Sequence, residues 1–294
     1  MHEHHTHSHN STPEAIDNKF VIGICLNLAF LAAEVIGGLI YNSLALLTDA
    51  GHNASDVASL LLSLITFRLA RKKSTSQFTY GFKKTTVLAA LTNAVVLLIA
   101  IGILGFESIS RLFKPQPVQG GIIAWIAGAG ILINSLSAYL FYTHKEKDLN
   151  AKAAYLHLLG DALVSLGVVV AGIVMSFTGW YWLDPAVGLI IMVVILISTW
   201  SLLRDSFKMT IDAVPSGLEL EKVKEIILQV EHVQQVGHVH VWPLSTTENA
   251  LTAHVAVDEK LNFDEKLRVV QNIKHELLHH DIHHSTIELE KVVI

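Results

Sequence analysis

Cysteine and charged residues are both scarce in this chain of 294 residues, and each scarcity excludes a class of protein. The single cysteine, Cys25, lies in an apolar segment, so the sequence predicts neither disulfide bonds nor a thiolate metal cluster. Charged residues make up 16% of the chain, and no basic tract is long enough to follow a phosphate backbone. Nucleic acid is therefore not expected as a partner, and any bound metal must use histidine and carboxylate ligands.

Apolar sequence, by contrast, is abundant. Hydrophobic residues make up 51% of the chain and the mean hydropathy is +0.47, which is typical of a polytopic membrane protein. Six apolar spans have the length of a bilayer crossing, at about 20–41, 44–69, 85–112, 118–141, 153–177 and 183–203. The sequence therefore predicts a domain of six transmembrane helices at residues 20–207, surrounded by a lipid bilayer.

Lysine and arginine are concentrated in two of the predicted loops. Arg68, Arg71, Lys72, Lys73, Lys83 and Lys84 fall between the second and third spans, and Lys145, Lys147 and Lys152 between the fourth and fifth. The opposite loops hold only Arg111 and Lys114. The positive-inside rule then predicts cytoplasmic termini, and we expect a multi-pass protein of the bacterial inner (plasma) membrane.

Histidine is the unusual component, with 17 residues concentrated in the first ten positions and after residue 231. The segment MHEHHTHSHN lacks the basic and apolar regions of a cleaved signal, so residues 1–19 are interpreted as a His-rich cytoplasmic tail. Such a tract can collect metal ions at low affinity. A tag remnant and a neutral solvated tail are the alternatives.

The composition after about residue 208 is that of a soluble domain. Ser216 to Glu219 is a predicted capping box at the start of an amphipathic helix. Predicted strands cover 236–242, 251–257 and 286–290, and a second helix covers 264–278. The order α-β-β-α-β predicts a small ferredoxin-like or metallochaperone-like α+β domain at residues 208–294, in the cytoplasm.

Two of the apolar spans carry a histidine and an aspartate four residues apart. His52 and Asp56 lie in the second span, and His157 and Asp161 in the fifth. Residues at this spacing share one face of a helix, so two such helices facing each other make a site with four ligands. Two aspartates, two neutral histidines and one divalent cation carry no net charge, and this donor set suits tetrahedral Zn²⁺. Asp49, on the same face as Asp56, is a candidate for supporting the ligands or for receiving the metal on its way in.

A simpler interpretation is that each histidine packs between helices and hydrogen-bonds its own aspartate, without a metal. A carboxylate near the bilayer centre costs about 2.5–3.5 kcal/mol and usually lines a pathway or a bundle interior. Two copies of the motif in separate spans therefore favour the metal site.

The C-terminal domain has its own group of histidines. His238 and His240 alternate with valines on one predicted strand, His254 lies on the next, and His283 and His284 precede the third. These side chains are either plain surface or, as a group, a second metal site.

The chain resembles the cation diffusion facilitator family of proton-coupled divalent-metal transporters. The matching stretches are NSLALLTDAGHNASD, FTYGFKKTTVLAALTNA, DLNAKAAYLHLLGDALVSLGV, Asp184-Pro185 and VHVWPL. The resemblance implies a Y-shaped homodimer of six-helix units in which helices two and five form the transport site at His52, Asp56, His157 and Asp161. It also implies cytoplasmic ligands at His238, His254 and one of His283 or His284.

The chain departs from some relatives in two loops. RKKSTSQFTYGF contains neither histidine nor aspartate, so the metal site that some relatives have after the second helix is expected to be missing. The loop before the fifth helix, at 143–150, offers only His144.

These observations predict a transporter, not an enzyme, that exports a divalent cation, above all Zn²⁺, in exchange for protons. The alternatives are a membrane-anchored metal sensor or binding protein and an intramembrane zinc enzyme. The enzyme would need an open coordination position and a nearby general base.

Overall fold

A computed structural model describes residues 18–70, 72–142 and 149–291 of the chain. The His-rich segment 1–10 and His144 therefore lie outside the described residues. Six long helices precede the C-terminal domain in this part of the chain: α1 (Asn18–Ile40), α2 (Leu44–Ala70), α3 (Thr85–Phe113), α4 (Gly120–Tyr142), α5 (Leu149–Thr178) and α6 (Leu183–Thr210). They follow the six predicted spans closely, which confirms a helical membrane fold.

Four helices are long and apolar enough to cross a membrane within the described residues: Thr85–Phe113, Gly120–Tyr139, Tyr155–Thr178 and Leu183–Thr210. The part of α1 that qualifies as apolar, Asn27–Ile40, is shorter. α2 is long but carries Asp49, His52, Asn53 and Asp56 within three turns, which lowers its apolar character. Membrane crossing by α1 and α2 therefore stays a prediction.

The described chain forms two compact units. The first contains the described residues up to Ala54 together with Gly102–Val193, and the second contains Ser55–Ile101 together with the described residues from Val194 onward. The predicted domain boundaries at residues 19 and 207 remain a prediction.

In the first unit, glycine allows α5 to lie directly against α4. A Cβ atom on Gly120 would lie 2.4 Å from the carbonyl oxygen of Gly172, and one on Gly172 would lie 2.7 Å from that of Gly120. Small residues at such contacts let helix backbones approach closely inside a membrane. This contact fixes the position of α5, which carries His157 and Asp161.

The start of α2 is fixed by a buried carboxylate. Asp184, 1% exposed, accepts hydrogen bonds from the Ser43 hydroxyl and from the backbone N–H of Leu44 (2.6 Å). Ser43 Oγ in turn accepts from Leu46 N at 3.2 Å, as an N-cap residue does. A negative charge at a helix N-terminus is also stabilised by the helix dipole. The register of α2, and with it the direction of His52, is set at this cap.

The second unit includes the α+β domain, whose elements are α7 (Leu220–Leu228), β1 (Val233–Pro243), β2 (Asn249–Val257), α8 (Phe263–Leu278) and β3 (Ile282–Glu290). Their order confirms the predicted α-β-β-α-β pattern. The sheet has the strand order β1-β2-β3, with β1 antiparallel and β3 parallel to β2. Both helices pack on one face through residues such as Val223, Ile227, Ile273 and Leu277.

Two local predictions for this domain are wrong. Ser216 does not open a capping box, because the N-cap of α7 is Glu219 and no side chain caps it. The chain instead turns at Gly217, whose φ of +95° suits glycine, and Leu218 N bonds to Pro215 O. β3 begins at Ile282, four residues before the predicted start. Consecutive polar residues, His283 and His284, hide the alternation there.

Candidate metal centre

Three of the four residues predicted for the membrane site come together in the first compact unit. His52 on α2 and His157 with Asp161 on α5 each offer a donor atom, and these atoms lie within 4.8 Å of one another. The Nε2 atom of His52 is 3.4 Å from Asp161 Oδ1, and the Nε2 atom of His157 is 3.6 Å from Asp161 Oδ2. The two imidazole rings meet edge to face, with centroids 5.8 Å apart.

These distances suit a small tetrahedral cation. Bonds of about 2.1 Å in tetrahedral geometry separate two ligand atoms by about 3.4 Å. His52 also reaches across to an aspartate of the other helix, as a shared site requires. The Asp161 side chain is 8% exposed and that of His157 is 48% exposed, so the group combines a buried carboxylate with an accessible imidazole.

Asp56, the fourth predicted ligand, follows His52 by one turn of α2. It is not a member of the group of three within the described residues. Its role as a ligand stays a prediction.

Hydrogen bonds in the same unit bring further polar residues to the region of α2 that carries His52. Asn53 Nδ2 donates to Glu34 Oε2 of α1 at 2.8 Å, and Ser165 Oγ of α5 donates to Asp49 Oδ2 at 3.3 Å. The sequence did not lead us to predict Asn53 or Ser165 as residues of this region. The available signal was spacing, because Ser165 follows Asp161 by one turn and Asn53 adjoins His52.

In the C-terminal domain the structure brings His238 and His254 together. Their ring centroids are 4.9 Å apart. One extra residue in β1 between Gly237 and His240 makes a bulge, and His238 there has a left-handed φ of 44°. Two carboxylates of β3 flank His254: its Nδ1 lies 2.6 Å from Glu290 Oε1, and its Nε2 lies 3.6 Å from Glu288 Oε2.

The other two predicted cytoplasmic ligands lie elsewhere on the sheet. His284 pairs with Ala250 on β2, four residues from His254, and its ring meets that of Tyr80 edge to face at 5.2 Å. His283 Nδ1 is 3.1 Å from the carbonyl oxygen of Asp281. Within the described residues of one chain, neither joins His238 and His254, and Glu288 and Glu290 are the nearer partners of His254.

Comparison with known proteins covers nearly the whole chain. A family model described as the cation efflux transmembrane domain matches residues 20–209, and one described as the cation efflux protein, cytoplasmic domain, matches residues 215–292. Zinc transporter ZitB of Escherichia coli is 36% identical over 292 residues, covering 97% of this chain and 92% of the relative. The cadmium, cobalt and zinc/H(+)-K(+) antiporter of Bacillus subtilis is 33% identical over 284 residues (96% and 91%). The metal cation efflux system protein CzcD of Cupriavidus metallidurans is 33% identical over 288 residues (97% and 89%).

Proposed function

The chain belongs to the cation efflux family, and from this premise we propose that it exports divalent metal ions, above all Zn²⁺, in exchange for protons. The observation that carries the proposal is the meeting of His52, His157 and Asp161 from two helices, with donor atoms within 4.8 Å of one another. Asp56 completes the proposed transport site as its fourth ligand. The proposal includes six membrane crossings, by α1 to α6.

Exchange follows from the chemistry of the ligands. Zn²⁺ binds neutral imidazole and ionised carboxylate, so protons and metal compete for the same atoms. If the helices open alternately to the two sides, metal leaves on one side and protons take its place. Protonated ligands then allow the metal-free site to return without a buried excess of negative charge.

The proposal extends to the assembly and to the cytoplasmic domain. Two copies form a homodimer through their cytoplasmic domains, and His238 and His254 bind a second, regulatory Zn²⁺. His283 or His284 joins that site only across the dimer, because within one chain His284 lies along the sheet from His254. We propose further that the protein lies in the bacterial inner membrane with both termini in the cytoplasm, where the tail at 1–10 collects metal.

Two rival functions are weaker. An intramembrane zinc enzyme needs an open coordination position and a general base, whereas the proposed fourth ligand, Asp56, would fill the tetrahedral site. A membrane-anchored sensor needs no ligands paired between two membrane helices, so the pairing of α2 and α5 supports transport.

Flux measurements separate these functions. Purified protein in proteoliposomes should move Zn²⁺ in the direction opposite to the flow of protons down an imposed gradient, and faster as the gradient is made steeper. Liposomes without protein should not move Zn²⁺. Zinc binding without any flux would support the sensor and overturn the transporter.

A further inference from the structure

Two buried carboxyl groups lie outside the proposed set of metal ligands. Glu34 of α1 is 0% exposed and Asp49 of α2 is 1% exposed, and each carboxyl group acts electrostatically on the other. Each has one further partner: Asn53 donates to Glu34 Oε2 and Ser165 donates to Asp49 Oδ2. The pair therefore draws on three helices of the first compact unit, α1, α2 and α5.

The remaining oxygen of each carboxyl group has no hydrogen-bond donor. Glu34 Oε1 and Asp49 Oδ1 are both buried and both unpartnered within the described residues. A buried acceptor left without a donor costs about 1–3 kcal/mol, and more when the group is charged. These two orphaned oxygens are the observation that points to a bound cation.

Among the described side chains that act on the pair, the basic one is His52, which faces Asp49. The side chains that act most strongly on it are Asp49, Asn53 and Asp161 for Glu34, and Glu34, His52, Asp161 and Ser165 for Asp49. Among these described neighbours there is no lysine or arginine, and Asp161 adds further negative charge. Two adjacent carboxylates in a medium of low dielectric constant do not both ionise but share a proton, which supplies the missing hydrogen bond and removes one charge.

We propose that Glu34 and Asp49 form a proton-binding site, separate from the metal ligands, that releases its proton when a divalent cation binds at His52, His157 and Asp161. This proposal rests on the proposed function, since it assigns one of the exchanged protons to a pair of residues. Release breaks the O–H bond of the shared acid, leaves the electron pair on the carboxylate oxygen and transfers the proton to water.

Electrostatics links the two sites. With the metal site empty, the negative charge of Asp161 favours retention of the shared proton. A divalent cation at Asp161 reverses that local charge and favours the ionised pair. Metal and this proton therefore exclude each other without occupying the same atoms, which differs from direct competition at the ligands.

Infrared difference spectroscopy of the full-length protein in liposomes tests the proposal directly. Zn²⁺ added to wild-type protein at neutral pH should remove a carbonyl band of a protonated carboxylic acid, and the band should shift in D₂O. Glu34→Gln and Asp49→Asn should each abolish this signal. Glu107→Gln is the matched control, because Glu107 is also a glutamate of a membrane helix but is 43% exposed and paired with Arg111. A zinc-sensitive band that survives both single substitutions would overturn the proposal.

A second measurement counts protons. The double variant Glu34→Gln with Asp49→Asn should release one proton fewer per zinc ion bound than wild type, measured with a pH indicator in weak buffer, and should still bind zinc. The single variant Glu34→Asp, which keeps an acid at this position, should release as many protons per zinc ion as wild type. An unchanged proton count in the double variant would contradict the proposal. K⁺ or Na⁺ replacing Zn²⁺ should leave the band intact, and its loss would assign the site to a monovalent metal ion.

Failure of this proposal is distinguishable from failure of the proposed function. Both measurements are made on zinc binding, so they stand if the protein binds zinc without moving it. Zinc flux with an unchanged proton count in the double variant would keep the transporter and remove the carboxyl pair from its mechanism.

Discussion

Lys83 Nζ lies 2.5 Å from Glu248 Oε2, which connects the turn before α3 to the turn between β1 and β2. A second bond runs parallel to it, from the backbone N–H of Thr246 to Thr86 Oγ1 at 3.1 Å. Both belong to the second compact unit and line a cavity of about 480 Å³ with Asn93. These two bonds connect the cytoplasmic sheet directly to α3 and the turn before it.

Glu248→Gln should loosen this connection with little loss of overall stability. Each side chain of the pair is 33% exposed, so the ion pair contributes only about 0.2–1 kcal/mol. We expect faster hydrogen exchange at residues 244–248 and 83–86 and a modest decrease in zinc flux. Glu219→Gln, which removes an exposed partner of Lys222, is the control, and equal exchange in both variants would contradict the coupling.

Which residues share a helix face is easier to predict from the sequence than which two helices meet. Spacing of four residues places His157 and Asp161 on one face of α5, because the α-helix repeats every 3.6 residues. Nothing in that spacing states that α2 meets α5. The pairing follows instead from contacts distant in sequence, such as Gly120 against Gly172, and in advance it rested on family resemblance.

Asp161→Asn should abolish zinc binding at the membrane site while the protein stays folded and in the membrane. Asp161 is the residue that both imidazoles share, so its loss removes a ligand and the charge that balances the metal. The decrease in zinc affinity should exceed the roughly 10- to 100-fold effect of losing a supporting residue. Calorimetric titration measures it, with Asp205→Asn on α6 as a control, and wild-type affinity would remove Asp161 from the site.

Asp184→Asn should lower stability more than metal affinity. One carboxylate oxygen becomes an amide NH₂, which cannot accept a hydrogen bond, so either the bond from the Ser43 hydroxyl to Oδ1 or the bond from Leu44 N to Oδ2 is lost. Loss of a buried, charged acceptor costs about 1–3 kcal/mol, so the thermal unfolding temperature in detergent should fall. A normal unfolding temperature with lost zinc binding would instead make Asp184 part of the transport mechanism.

His52→Asp tests the nitrogen ligand in the membrane. The substitution replaces a nitrogen donor with a carboxylate oxygen, which is a harder ligand. Discrimination against Mn²⁺ should therefore weaken while Zn²⁺ is still carried. Competition flux assays with Mn²⁺ and Cd²⁺ measure the change, with His240→Asp, the same substitution at an exposed position of β1, as the control. Relative rates equal to those of wild type would show that His52 does not touch the metal.

Side-chain placement in the cytoplasmic sheet was only partly predictable. Alternation correctly put Val239 and Val241 in the core and His238 and His240 outside it. The bulge that sets His238 beside His254 consists of one extra residue and a left-handed φ at His238. Strict alternation of inward and outward residues along a strand does not predict such a bulge. The strand pattern assigned no role to Glu288 or Glu290, which the structure places beside His254.

The pair His238 and His254 should make dimer stability depend on zinc. Without metal, Glu288 and Glu290 place two negative charges beside His254, and a second copy of this face would double them. Zinc bound by the imidazoles offsets that charge, so it should tighten association of the two copies. His238→Ala with His254→Ala should remove the zinc dependence of dimer dissociation, measured by sedimentation of the full-length protein in detergent. His240→Ala, also exposed on β1, is the control, and a dissociation constant indifferent to zinc in wild type would leave these histidines as ordinary surface.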